Sequence, residues 1–254
     1  MTPDLLQEEC ERGQAELMRM NYLEAEAILA EAERQAWAAG DWDSLSRLYM
    51  PLQETRRQRR QRCGEGTVCL DLFASGSSDN INAAHILTSY PQGQLLIAGW
   101  GSIEPAVRVR HLALERGLYL DTFLGAAYPA ESGRWIAIVP LPSATLPQPS
   151  PRSLESLRGL LPEHTLIIHE NDLPRGVWPG TYQTYGQVMA LWERLHAPFL
   201  AAADAQRDPV RKMEGYRKTI LVDYACELAH QKLSDVAKQL HRGERSAATT
   251  RDIP

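Results

Sequence analysis

The chain has 254 residues, of which 44% are hydrophobic and 23% charged, and its formal net charge is -5. These values are ordinary for a globular protein that can bury one large core or two smaller ones. An acidic balance argues against a broad nucleic-acid-binding surface, which must be basic, so we expect nucleic acid not to be a partner.

The four cysteines form no CxxC pair and no cluster with the spacing of zinc ligands. The first residues carry no basic segment followed by an apolar run, and no apolar window approaches the length of a membrane span. We therefore expect a cytoplasmic protein with no membrane contact and no metal site. Its cofactor, if it has one, stays unknown at this point.

Residues 1–62 have the pattern of amphipathic helices, because apolar residues recur at steps of three and four. Gly40 is suited to end one helix, and Asp41 or Asp43 to cap the next. Pro51 lies inside the apolar stripe of that next helix, so we expect a kink or a break there.

Residues 63–180 change character, since short continuous apolar runs alternate with helical patterns. Such runs are typical of strands buried on both faces, and helices between them indicate βαβ units and a mainly parallel sheet. The segment 140–151 is rich in proline and is predicted to be a surface excursion. The predicted strands are 67–73, 94–100, 118–124, 134–141 and 164–170, and the predicted helices are 80–90, 104–117 and 153–161.

Residues 181–254 are again predicted to be helical. The first helical region is disturbed at Pro198, and two further helices are divided near Asp223. Asp208 followed by Pro209 is a well-formed helix start, with a capping acid ahead of proline at the first helical position.

The C-terminal stretch "EGYRKTILVDYACELAHQKLSDVAKQLHRG" resembles the boundary between two tetratricopeptide repeats. Tyr216 falls where the repeat has the large aromatic residue of its second helix, and Leu233 where its first helix carries leucine. The stretch departs from the repeat pattern at three positions, namely Thr219, Tyr224 and Ser234.

The N-terminal stretch "NYLEAEAILAEAERQA" is similar to the second helix of such a repeat, and it carries the pattern of small and large residues at Gly13, Ala25, Leu29 and Ala32. The resemblance covers less than half of the chain. It implies stacked helical hairpins that present a groove for a peptide or a protein. It also suggests that the two helical ends, 1–62 and 181–254, pack together around an inserted domain.

The fold class expected from these observations is α/β, with a Rossmann-like, mainly parallel sheet flanked by tetratricopeptide-like helical hairpins. In such a sheet a ligand site is expected at the carboxyl ends of the strands. Four segments would supply residues there, and the candidates are Asp71, Ser75, Gly76, Ser77, Ser78, Asp79, Gly99, Gly101, Ser102, Asp121, His169 and Glu170.

The two glycine-containing loops among these segments could turn backbone N–H groups toward an anion. Neither loop has a Walker A or a GxGxxG pattern, and the competing interpretation is that Ser78 or Asp79 caps one helix and Ser102 the next. His169 with a serine and an acid could form a nucleophilic set, although no GxSxG elbow occurs.

Asp71 and Asp121 both lie inside apolar runs, where burying a charge costs several kcal/mol unless it is paired. Each could hold a cation or act as an acid or base. The alternative is that one of them accepts from a backbone amide or pairs with an arginine such as Arg134, or that the strand end is simply exposed.

The run "RRQRRQR" places five arginines in seven residues. It is predicted to be the solvated end of a helix, with a phosphate-binding or acid-binding patch as the alternative. The leading functional hypothesis is a protein-interaction or scaffold module with a protein or peptide partner. The alternative is an enzyme or small-ligand-binding protein with its site at the strand ends.

Overall fold

The computed structural model describes residues 3–150 and 152–251. The remaining residues, which include the extreme ends of the two predicted helical segments and one residue of the proline-rich stretch, lie outside the described part of the chain. The chain divides into two units, a helical unit of residues 1–59 and 196–254 and a sheet-containing unit of residues 60–195.

The elements follow the alternation that the sequence predicts, with one additional short strand. The helices of the described residues are α1 (Pro3–Met18), α2 (Tyr22–Ala39), α3 (Trp42–Gly64), α4 (Ala83–Ser89), α5 (Glu104–Glu115), α6 (Leu154–Arg158), α7 (Tyr182–Asp204), α8 (Pro209–Val222) and α9 (Glu227–Arg251). The strands are β1 (Thr67–Phe73), β2 (Gly93–Trp100), β3 (Leu120–Pro129), β4 (Arg134–Val139), β5 (Leu166–His169) and β6 (Val177–Pro179).

The sheet has the strand order β5-β4-β3-β2-β1-β6. Pairing is parallel for β1 with β2 and for β2 with β3, and antiparallel for the outer pairs. The predicted α/β class is therefore confirmed, whereas the parallel arrangement holds only in the centre of the sheet. β4 runs antiparallel because its connection to β3 is a tight turn, in which the Ala130 N–H donates to the Gly133 carbonyl, and a parallel crossover needs a dozen residues or more.

One face of the sheet packs against the two crossover helices α4 and α5. The strand residues Leu95, Ile97, Leu124 and Ala126 are buried in one cluster with Ala106 and other small and branched residues of these helices. Burial of this kind stabilises by about 25 cal/mol per Å² of apolar surface, and it explains why the strand runs lack polar alternation.

The other face carries aromatic and polar residues that contact α3 and α7 within the same unit. Phe123 of β3 stacks on Trp192 of α7, with ring centroids 4.2 Å apart and planes inclined by 25°. The guanidinium of Arg60, at the end of α3, lies 4.5 Å from the Trp192 ring centroid. Aromatic stacking and cation–π contacts of this kind each contribute about 0.5–2 kcal/mol when they are desolvated.

The helical unit draws its core from both ends of the chain. Leu29 and Leu48 are buried in one cluster with Tyr216 and Leu233, which come from α8 and α9. Short turns join α1 to α2 and α8 to α9, and the members of each pair pack together.

Two helix boundaries lie at the residues that the sequence predicts. Gly40 ends α2 in the left-handed conformation, with a φ of 66°, and Asp208 caps α8 by accepting from the Arg211 N–H. Of the kink or break predicted at Pro51, the break is absent, because α3 continues through that residue, as α7 continues through Pro198. At Pro51 the following turn gains a bond from the Thr55 hydroxyl, which donates to the Pro51 carbonyl at 2.8 Å.

Gln94 of β2 provides a test of packing in the sheet. Its side chain is fully buried, and neither amide atom has a hydrogen-bond partner among the described residues. An unsatisfied buried polar group costs about 1–3 kcal/mol, so we expect Gln94→Met, which keeps the volume, to raise the free energy of unfolding by about 1 kcal/mol in urea denaturation.

Gln92→Met is the matched control for that substitution. Gln92 Nε2 donates to the Arg62 carbonyl at 2.6 Å, so its replacement removes a hydrogen bond and should not stabilise the protein. A Gln94→Met protein less stable than wild type would show that the amide has a favourable interaction in solution.

Candidate functional site

Four of the predicted site residues meet at the carboxyl ends of β1 and β2. Ser77 and Asp79, from the loop after β1, and Gly99 and Ser102, from the turn after β2, line one pocket of about 250 Å³. Arg108 of α5 lines the same pocket and has no hydrogen bond or ion pair within the described part of the chain.

The loop after β1 is closed by its own side chains. Asp79 Oδ2 accepts from the Ser75 N–H at 2.9 Å and from the Ser75 hydroxyl at 3.0 Å. These two bonds, followed by the positive charge of Arg134, hold the pKa of Asp79 below its usual value. Gly76 and Ser78 lie in the same turn, and α4 is capped instead by Asn82, which accepts from the His85 N–H. The predicted capping by Ser78 or Asp79 is therefore wrong.

The turn after β2 is fixed by close packing. Gly101 has a φ of +59°, and a Cβ at that position would lie 2.5 Å from the Pro149 ring. The Ser102 hydroxyl accepts from the Glu104 N–H at 3.1 Å, at the start of α5. The N-cap of α5 is Ile103, which makes no side-chain capping bond, so the prediction that Ser102 caps this helix is wrong, although its hydroxyl bonds the first helical N–H.

Asp71 lies in the middle of β1 and is only partly buried. Its Oδ2 accepts from the Gly176 N–H at 2.7 Å, and its Oδ1 accepts from the Cys69 thiol at 3.3 Å. Burial, with the neighbouring Asp71 carboxylate, raises the pKa of Cys69 to about 11, so this thiol stays protonated near neutral pH. The alternative that an aspartate accepts from a backbone amide is confirmed for Asp71.

Asp121 is not at the carboxyl ends of the strands, and that prediction is wrong. It is the second residue of β3 and lies opposite Gln94 near the start of β2, which places it at the other edge of the sheet. Its Oδ2 lies 2.7 Å from Nε of Arg60, and both side chains are almost fully buried. The partner of the buried acid is therefore an arginine, but Arg60 rather than Arg134.

Glu170 follows β5 at the same edge as the β1 loop. Arg134 donates from Nε and Nη2 to Glu170 Oε2, at 2.9 and 2.6 Å, and from Nη1 to the Ala74 carbonyl at 2.8 Å. The arginine thereby joins the end of β1 to the segment after β5.

His169 has both ring nitrogens engaged. Nε2 is 2.7 Å from the Ser132 carbonyl, and Nδ1 accepts from the Asn171 N–H at 3.3 Å, which assigns the proton to Nε2. An imidazole whose two nitrogens are both engaged is not available as a base for Ser75 or Ser77. His169 lines a different pocket from Ser77, so the predicted segments do not converge on one site.

The physical reason is the strand order. A deep crevice at the carboxyl edge of a parallel sheet opens where the strand order reverses and neighbouring crossovers lie on opposite faces. Here β1, β2 and β3 are adjacent in chain order, and α4 and α5 pack together on one face. The edge therefore holds only a shallow pocket.

Two larger concavities were not predicted from the sequence. The first, which we call the β5–α7 cavity, lies within the sheet-containing unit and has a volume of about 580 Å³. The second, the α8 groove, lies within the helical unit and has a volume of about 400 Å³. The α8 groove is lined by Glu33, Trp37, Tyr49, Leu52, Arg56, Glu214, Arg217, Lys218, Ile220 and Leu221.

The buried members of the arginine run form internal ion pairs, whereas Arg57 and Arg62 are exposed to solvent. Arg56 and Arg59 both bind Glu26, at 3.0 and 2.7 Å, and these three side chains are largely buried. Arg59 also lies over the Tyr224 ring. The prediction that the run is a solvated helix end is therefore wrong for its buried members.

The helical unit also brings together a thiol, an imidazole and a carboxylate. His196 Nδ1 lies 2.8 Å from Asp223 Oδ2, and Cys226 is close enough to influence the pKa of the same imidazole. Cys226 and Asp223 are 4% and 1% exposed, which closes this group to a substrate and gives it a structural role.

No family model, curated protein or solved structure matches this chain. Within the described residues, no group of three or more His, Cys, Asp and Glu side chains is placed to hold a metal ion. No described helix combines the length and apolar composition needed to cross a bilayer. All four cysteines are buried, and none forms a disulfide.

Removing the carboxylate of Asp121 tests its structural role. Asp121→Asn leaves the buried Arg60 charge without its counter-ion, so we expect the free energy of unfolding to fall by about 3–5 kcal/mol, whereas replacing both residues with apolar ones recovers most of the loss. Asp79→Asn, at an exposed loop, is the control and should cost under about 1 kcal/mol. If Asp121→Asn and the wild type had the same free energy of unfolding in urea, this role would be contradicted.

His196 predicts a stability change at alkaline pH. Burial lowers the pKa of His196, but the interactions with Asp223 and Cys226 outweigh it and raise the pKa to about 10. Because this value exceeds that of an unfolded histidine, the stabilisation is complete below about pH 6.5 and is lost as the pH rises toward 10. The difference in unfolding free energy between wild type and His196→Gln should therefore be largest at pH 6 and shrink by pH 9. A difference that stays constant over this range would contradict the assignment.

Proposed function

We propose that this chain is a protein-interaction module whose helical unit binds an amphipathic segment of a partner protein in the α8 groove. The observation that carries the proposal is the chemistry of that groove. Its floor is apolar, with Tyr49 and Leu52 each 1% exposed, and its rim carries Leu221, which is 69% exposed. An apolar pocket beside an exposed apolar rim suits an anchor side chain of a partner.

The walls of the groove are held in place before a partner arrives. Arg217 lies 4.1 Å from the Trp37 ring centroid and binds Glu33 at 2.9 Å, and the Tyr49 hydroxyl donates to Glu33 at 3.2 Å. Pre-organised walls reduce the side-chain entropy that binding costs.

The charges at the rim indicate what kind of segment fits. Glu214 and Lys218 lie four residues apart on α8 and line the groove, and neither forms an ion pair within the described residues. A segment that carries charges of both signs beside an apolar anchor complements this rim, and an amphipathic helix presents such a pattern.

The resemblance to tetratricopeptide repeats supports the same proposal. The paired helices approach closely at small residues, since a Cβ on Gly13 would lie 2.6 Å from the Leu29 side chain and one on Gly215 would lie 2.7 Å from Ala203. Close packing at small residues is typical of stacked helical hairpins, which bind peptides along their grooves. We propose that the Rossmann-like strands and helices serve as a scaffold in a cytoplasmic protein.

The alternative of an enzyme at the strand ends receives less support. The pocket at that edge holds about 250 Å³, which is smaller than the roughly 300–1,000 Å³ that ligand sites usually occupy. His169, the histidine among the predicted residues, does not line it.

The experiment is a selection of displayed random peptides on the full chain, followed by affinity measurement with Leu221→Arg. We expect the selected peptides to share an apolar anchor and to lose affinity at least about tenfold in this variant, because the charge replaces the apolar rim. Leu228→Arg is the matched control, since Leu228 is an exposed leucine of α9, 46% exposed, outside the groove residues. Equal binding of the peptides to both variants would overturn the proposal.

A further inference from the structure

The β5–α7 cavity has an apolar interior. Leu70, Leu173 and Leu191 are buried and line it, each less than 9% exposed, and Trp135 and Ile168 complete the apolar surface. A volume of about 580 Å³ lies within the roughly 300–1,000 Å³ of small-ligand sites. The interior therefore suits the apolar body of a small molecule.

One wall of the cavity is a single stripe of α7. Gln187, Ala190, Leu191 and Arg194 line it at the spacing i, i+3, i+4 and i+7, so they follow one face of the helix. At 1.5 Å per residue the stripe is about 10 Å long and has polar side chains at both ends.

The cavity carries two opposite charges that come from different walls. Arg194 belongs to α7, and Asp172 belongs to the 3-10 turn that follows β5. No ion pair joins them, and neither side chain has a hydrogen bond or ion pair with any other described residue. His169 also lines the cavity, and both of its ring nitrogens are engaged in hydrogen bonds within the protein.

We propose that the β5–α7 cavity binds a small zwitterion with an apolar body, an apolar amino acid or its short peptide. The carboxylate of the ligand pairs with the Arg194 guanidinium, a geometry that arginine favours. The ammonium pairs with the Asp172 carboxylate, and the apolar side chain lies against Leu70 and Leu191. Both groups are exposed to solvent, so a ligand with one charge forms only one of the two ion pairs and binds more weakly than the zwitterion.

The test uses NMR titration of the full chain with L-leucine and with trileucine, which differ in the distance between their charges. N-acetyl-leucine, which lacks the ammonium, and leucinamide, which lacks the carboxylate, are the matched analogues. We expect saturable shifts at amides of the cavity residues, with each analogue at least about tenfold weaker than the zwitterion. Trileucine binding more tightly than leucine would assign the ligand to the short peptides.

Two variants test which charged group of the ligand pairs with Arg194 and which with Asp172. Arg194→Gln should lower the affinity for the zwitterion about tenfold and remove the preference for the zwitterion over leucinamide. Asp172→Asn should lower that affinity by a similar factor and remove the preference for the zwitterion over N-acetyl-leucine. Arg116→Gln and Glu131→Gln, at exposed residues of the same unit outside the cavity, should change neither preference.

Two results would overturn the proposal. One is no saturable shift with any of the four compounds at about 10 mM, and the other is equal affinity for the zwitterion and both analogues. The Leu221→Arg variant of the helical unit should bind the zwitterion as wild type does, so failure of this site is distinguishable from failure of the α8 groove.

Discussion

The buried ion pair between Arg60 and Asp121 is the constraint on which the sheet-containing unit depends. It joins the end of α3 to the start of β3, and the same guanidinium lies over Trp192 of α7. Two ions in an interior are costly to desolvate, and their attraction compensates only when the geometry is good. Such a pair contributes mainly by fixing the position of Arg60 against the start of β3, and apolar contacts supply most of the stability.

Ion pairs of this kind also occupy the acids of the predicted site. Asp121 forms an ion pair with Arg60 at the amino edge of the sheet, and Glu170 forms one with Arg134 at the carboxyl edge. With Asp71 held by a backbone amide, the acids that the sequence presents as candidates for chemistry are already satisfied. A carboxylate whose hydrogen bonds are made within the fold has little capacity left for a substrate or a cation.

The sequence predicts the elements well because the strand runs are continuous and apolar and the helices keep their period. The antiparallel direction of β4 was not predicted, because periodicity does not report strand direction and the predicted strand 118–124 ends five residues before the observed end of β3 at Pro129. β6 was missed because three residues ending in Pro179 form a strand only against the neighbouring β1. Asp121 was misplaced because an apolar run shows that a strand exists and not where it begins.

Side-chain partners were the least predictable part, since they depend on residues distant in the chain. The sequence predicts that Arg56 and Arg59 are solvated charges, but both form ion pairs with Glu26 on another helix. Charged side chains that form no such internal pair are the ones that can form an ion pair with a ligand. Arg194 and Asp172 are of this kind, and they face one concave, apolar surface. Unpaired opposite charges at an apolar cavity, rather than charges buried in strands, are therefore the basis of the ligand site proposed for this protein.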